Sequence, residues 1–120
     1  MEARRVLVLL AVVVSLILAG CAPTTAPTMS LNGTRWLLEN LQSQAVMPGV
    51  QVTLNFEKDT FNGSDGCNQY NGSYTVDGEK ISVAENIAAT MMACEEPIMA
   101  QSSAYIAALR QAAVYKVTDQ

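Results

Sequence analysis

Tyr74-Thr75-Val76-Asp77-Gly78-Glu79-Lys80-Ile81-Ser82-Val83 reads as two short strands around a tight turn. The flanks alternate apolar and polar side chains, and Asp77-Gly78 tolerates the positive φ angles that a two-residue hairpin demands. Upstream, Val50 to Phe56 also alternates. Val52, Leu54 and Phe56 face one way and Gln51, Thr53 and Asn55 the other, the pattern of a half-buried strand. Phe61 starts a short partner strand after the Glu57-Lys58-Asp59 turn. Trp36-Leu37-Leu38 begins a first strand after Asn32-Gly33. The Asn-Gly pairs at 32–33, 62–63 and 71–72 are all expected to be turns. Each is formally a glycosylation sequon, and each is read here as turn chemistry only.

Downstream the period changes. Pro97 suits a first helical turn, where its missing N–H costs nothing, and Glu95 and Glu96 suit the positive end of the helix dipole. The helix is expected to run to about Ala113, with Met99, Ser102, Ile106, Leu109 and Ala113 as its core-facing stripe. Val114-Tyr115-Lys116-Val117 reads as one more strand. A run of strands plus one helix is an α+β domain, a small antiparallel sheet of barrel-like form with one packed helix.

The N-terminus is of another kind. Val6 to Ala19 is apolar except for Ser15, and Arg4 and Arg5 precede it. The run is about 14 residues, short of the about 20 that a spanning helix needs. No polar face interrupts it, which argues against a buried core helix. It has the charged start, apolar middle and small-residue end of a secretory signal. Leu18-Ala19-Gly20-Cys21 matches a lipobox, placing cleavage between Gly20 and Cys21 and a diacylglycerol on the Cys21 thiol. Two or three acyl chains at about 0.8 kcal/mol per buried methylene make a lasting anchor. The expected partner is therefore the membrane, through this lipid. Ala22 is not the Asp that retains lipoproteins at the inner membrane, so in a Gram-negative host the destination is the outer membrane, facing the periplasm. Ala22-Pro23-Thr24-Thr25-Ala26-Pro27-Thr28 cannot pack a core and reads as a tether. The organisation is then a signal at 1–20, a lipid-anchored linker at 21–30 and a domain at 31–120.

Loss of residues 1–20 removes Arg4, Arg5 and Glu2, which takes the formal net charge from −4 to −5. A dispersed acidic surface without a basic patch argues against nucleic acid. Three cysteines leave Cys67 and Cys94 once Cys21 is lipidated. An even pair in an exported chain favours a disulfide, worth roughly 3.5 kcal/mol on the loop-entropy model. The alternative is two buried free thiols, as in a compartment without oxidation machinery. With no histidine and wide cysteine spacing, neither a metal site nor a cofactor is expected. The missing histidine also removes Ser–His and Cys–His nucleophilic pairs. The enzymatic reading left open is a paired-carboxylate hydrolase, if Asp65 approaches Glu95 and Glu96 across a Cys67–Cys94 bond. The simpler reading is loop acids in water. Asn68, Tyr70 and Asn71 likewise read either as turn-holding groups or as a binding cluster.

Gly66-Cys67-Asn68-Gln69-Tyr70-Asn71-Gly72-Ser73-Tyr74, followed by Ala89-Thr90-Met91-Met92-Ala93-Cys94, resembles the paired signature of the META domain, the family of heat-inducible lipoproteins. Gly33-Thr34-Arg35-Trp36-Leu37 is similar to the family's opening strand. The resemblance spans about residues 31–117. It implies an exported or lipid-anchored barrel-like domain, linked to envelope stress and antibiotic tolerance, with no established catalytic residues. It also implies a strand pair after Val117, which this chain lacks. Either the domain is C-terminally incomplete, with an unpaired Val114–Val117 edge and a less buried Trp36 and helix face, or another strand fills the gap. Two functions follow. One is a non-enzymatic envelope protein that binds or stabilises other envelope proteins. The other is a binding module or inhibitor for a peptide or exported enzyme, favoured if Trp36, Tyr70 and Tyr74 line a concave patch.

Overall fold

The computed structural model describes residues 20–22 and 29–118. The proposed signal run and most of the tether lie outside the described residues, which include Gly20 and Cys21 as exposed positions. Among the described residues no helix is long and apolar enough to cross a membrane.

Among the described residues eight strands precede one helix: β1 (Arg35–Leu37), β2 (Asn40–Leu41), β3 (Gln44–Ala45), β4 (Thr53–Phe56), β5 (Thr60–Ser64), β6 (Gln69–Asp77), β7 (Lys80–Val83), β8 (Ala88–Ala89) and α1 (Glu96–Arg110). The main sheet runs β1-β4-β5-β6-β7, with β8 also on β6, while β2 and β3 form a separate hairpin. Every pairing is antiparallel. The sheet curls into a half-barrel with α1 against its inner face.

That inner face follows the period-two reading. Val52, Phe56, Phe61, Tyr70, Tyr74 and Ile81 are buried from the sheet, Leu31 from the lead-in, and Tyr105 and Leu109 from α1. Phe56 meets Tyr74 edge-on at 4.9 Å between ring centroids. The helix stripe is rotated from its expected position. Ser102, Tyr105 and Leu109 are the buried residues, Met99 is 44% exposed, and Ala113 lies beyond the helix end. Tyr105 packs beneath β6, its ring centroid 5.7 Å from that of Tyr70.

Two of the three Asn-Gly pairs are not turns. Asn32-Gly33 is one, with φ +78° at Gly33. Asn62-Gly63 and Asn71-Gly72 sit in mid-strand, where Asn62 pairs with Asn71, Gly63 with Tyr70 and Gly72 with Phe61 across β5 and β6. Their glycines are there for space. A Cβ on Gly72 would stand 2.5 Å from Phe61 Cζ, and one on Gly63 would run into the Thr53 carbonyl and approach the Tyr70 hydroxyl. The β6–β7 hairpin is where the alternation placed it, but Asp77 pairs with Lys80, so the loop is Gly78-Glu79. The positive φ falls on Gly78, at +62°, the first loop position of a type II′ turn.

The β2–β3 hairpin has no sequence warning. Its loop, Gln42-Ser43, holds φ of 49° and 67° without a glycine or asparagine. The expected strand at Val114–Val117 is reduced to one bridge, Lys80 with Val114, flanked by bonds from Ile81 N–H to Ala113 O and from Tyr115 N–H to Glu79 O. The segment thus lies along β7 but does not extend into a strand. Trp36 is half-buried against the core.

Candidate functional site

The two halves of the paired motif meet at one end of β6. Asp65 starts the turn before it. Its Oδ1 accepts N–H bonds from Cys67 at 2.9 Å and Asn68 at 2.6 Å, and its own N–H donates to Asn68 O at 2.9 Å. Gly66 occupies the bend at φ +97°. A carboxylate accepting two backbone donors locks such a turn. Asp65 is 3% exposed.

Cys67 and Cys94 form a disulfide with Cα atoms 6.0 Å apart. The even-pair expectation holds, and the free-thiol alternative is overturned. Asn68 adds a second clamp. Its Oδ1 accepts from Met92 N–H at 2.6 Å and from Thr90 Oγ1–H at 3.0 Å, while Gln69 N–H donates to Thr90 Oγ1 at 3.1 Å and Thr90 N–H to Gln69 O at 2.9 Å. The spacing of these residues serves one purpose: to fasten the 90–94 segment beside the start of β6.

Tyr70 points inward. It donates its hydroxyl hydrogen to Thr53 O at 2.6 Å, so Tyr105, also at 2.6 Å, donates to Tyr70. Burial is the main cause that raises the Tyr70 phenol well above its ordinary value, helped by Tyr105 and by the nearby charge of Asp65. Tyr105 is raised chiefly by burial too. Tyr74 donates to Glu57 O at 2.7 Å, and burial again leads the upward shift of its phenol. These are neutral hydroxyls that hold strands together.

The structure therefore separates the residues the sequence grouped. Asp65 is enclosed, while Glu95 and Glu96 are exposed at the start of α1, so a paired-carboxylate centre finds no support. Tyr70 and Tyr74 are in the core, and Trp36 lies apart on a cleft of about 270 Å³ with Leu37, Leu38, Glu39, Val52, Leu54 and Tyr105. The concave aromatic patch does not form. Asn71 points away from the Asn68 clamp, on the outer face of β6. Tyr105 was missed because its spacing from Leu109 competed with the Met99–Ile106 reading. Among the described residues no three Cys, Asp or Glu side chains gather as a metal would require.

The geometry agrees with the comparisons. No protein of curated function matches the sequence. The NMR structure of a protein from Burkholderia xenovorans is similar, with 30% identity and a TM-score of 0.54. The match covers 66% of this chain and 62% of that one, so this chain spans less than two thirds of that protein's length. The META domain family matches residues 29–120, which include the whole half-barrel, the disulfide and both halves of the clamp. The chain belongs to the META domain family.

Proposed function

We propose that this protein is a non-enzymatic lipoprotein of the cell envelope, anchored through Cys21 and displaying its META domain on a short tether. META membership supports the coarser statement of an envelope-associated protein, and the family is not a known enzymatic one. The observation that carries the anchor is the fate of the thiols. Cys67 and Cys94 are joined, which leaves the exposed Cys21, at the end of the Leu18-Ala19-Gly20-Cys21 motif, as the free one of three cysteines. The disulfide also suits an oxidising compartment. A role in envelope stress or antibiotic tolerance, through binding or stabilising other envelope components, follows the family expectation. Weight shifts away from an aromatic binding module or inhibitor because two of its three rings are spent inside the core.

The test is Cys21→Ala in a host with lipoprotein processing, followed by palmitate labelling and membrane fractionation. The parent chain should be labelled, shortened and membrane-bound, and the variant unlabelled and longer. A variant that is still labelled and processed like the parent refutes the anchor.

A further inference from the structure

An apolar side chain that meets nothing adds nothing to packing. Met91 is 98% exposed, the most open of the large apolar residues among those described, and Met92 follows it at 56%. Methionine ordinarily fills irregular gaps inside a core. Here the backbone denies Met91 that use. Thr90 and Met92, on either side of it, are both fastened to Asn68: the Thr90 hydroxyl and the Met92 N–H donate to the same Oδ1. Thr90 N–H is bound to Gln69 O, and Cys94 is tied to Cys67. A segment clamped on both sides of Met91 holds its thioether out in solvent.

What such a sulfur can do is set by its chemistry. A thioether does not titrate, so it offers neither acid, base nor ion pair. It is a nucleophile towards peroxides and hypohalous acids, and the sulfoxide it forms is reducible. The other sulfurs are placed differently. Cys67 and Cys94 are already oxidised to a disulfide. Met47 is half-buried in the cleft between the β2–β3 hairpin and α1, with Leu41 and Pro97, and its N–H donates to Gln101 Oε1 at 2.9 Å. A polar sulfoxide there would disrupt apolar packing. At Met91 the same change removes no contact.

We propose that Met91 is a reversible sulfoxidation site, taking its oxygen from a hydroperoxide or hypohalous acid without disturbing the fold. With a hydroperoxide, a sulfur lone pair attacks the outer oxygen. The S–O bond forms, the O–O bond breaks, and the departing oxygen takes up the proton and leaves as water or an alcohol. Sulfur loses an electron pair to the peroxide. The return step needs a dithiol reductase, whose thiols close to a disulfide as the sulfoxide oxygen leaves as water. The clamp holds the segment in both states, so the site consumes oxidant repeatedly instead of switching the domain. None of this depends on the Cys21 anchor, since any compartment that such oxidants reach is sufficient.

The experiment is a timed exposure of the full-length chain, held in detergent micelles, to hydrogen peroxide. Peptide mass spectrometry reads each methionine and thermal melting reads the fold. Among the described methionines the Met91 sulfoxide is expected first, then Met92, with Met47 last. When Met91 alone is oxidised the melting temperature should be unchanged, and a methionine sulfoxide reductase should restore the thioether in the folded chain. Met91→Leu keeps the apolar bulk and removes the sulfur, so it should lose the first oxidation phase and leave the melt unaltered. The proposal is overturned if Met29, Met92 or Met99 reacts before or together with Met91. It is equally overturned if oxidation at Met91 lowers the melting temperature, or if the reductase acts only after unfolding. A chain that is oxidised first at Met91 but is not lipidated keeps this inference and loses the anchor.

Discussion

The two ends of β6 are held in opposite ways. At its C-terminal end, Tyr74–Asp77 pairs with β7 through a two-residue loop, and local chemistry does the work: alternation, plus a glycine at the positive-φ position. At its N-terminal end, Tyr70 and Asn71 pair with β8, whose register has slipped. Tyr74 faces Val83 but Asn71 faces Ala88, so three steps along β6 meet five along its partner. Two extra residues bulge out, and nothing local would hold β8 in place. The disulfide and the Asn68–Thr90–Met92 clamp do so. A paired cysteine motif is thus the long-range substitute for a turn.

Alkali should erase the contrast by attacking both ends. Tyr70 belongs to one and Tyr74 to the other, and with Tyr105 all three phenols are raised in the fold. Groups raised above the unfolded value of about 10 stabilise the fold fully below that pH, and the stabilisation is lost as pH rises through it. Circular dichroism and tyrosinate absorbance should therefore change together above about pH 10. Ionisation of all the tyrosines while the sheet remains intact would contradict this.

Reduction should separate the ends. Breaking Cys67–Cys94 should cost roughly 3.5 kcal/mol. Hydrogen exchange should rise first at Gln69–Asn71 and Ala88–Thr90, with Thr75–Lys80 following only on global unfolding. Equal loosening at both ends would show that the contrast is false.

A smaller, finer probe is Asn68→Ala. It deprives Met92 N–H and the Thr90 hydroxyl of their acceptor, at about 1–2 kcal/mol in denaturant melts. With the disulfide still closed, exchange should increase only near Thr90 and Met92. The smallest effect is expected from Gly78→Ala. A Cβ at φ +62° costs about 1 kcal/mol, and the Cβ itself meets open space. Its signature should stay within Asp77–Lys80; a larger loss spreading to β8 would mean that the ends fold as one unit.

Much of this fold was legible where neighbours in the chain decide conformation. The inward set of β4, the β6–β7 hairpin and a helix starting near Pro97 all came from period and turn chemistry. The Asn-Gly pairs mark the boundary of that legibility. The same dipeptide is a turn at 32–33 and mid-strand at 62–63 and 71–72, because the last two glycines answer to a ring and a carbonyl on other strands. The β2–β3 loop was invisible because Gln42 and Ser43 are not the residues that favour left-handed backbone. At the site, the cysteine pair was readable by counting, but the tasks of Asp65, Asn68 and Tyr105 were not, since a polar side chain in sequence does not name its partner.

The sequence by itself determined the α+β class, the inner face of β4, and the candidacy of Cys67 and Cys94 as partners. These rest on periodicity, composition and export chemistry, which are local or additive. The tertiary structure alone decided that Tyr70 bonds Thr53 and Tyr105 rather than a ligand and that β8 slips by two residues. Both depend on register between strands, and register is set by contacts among residues far apart in the chain.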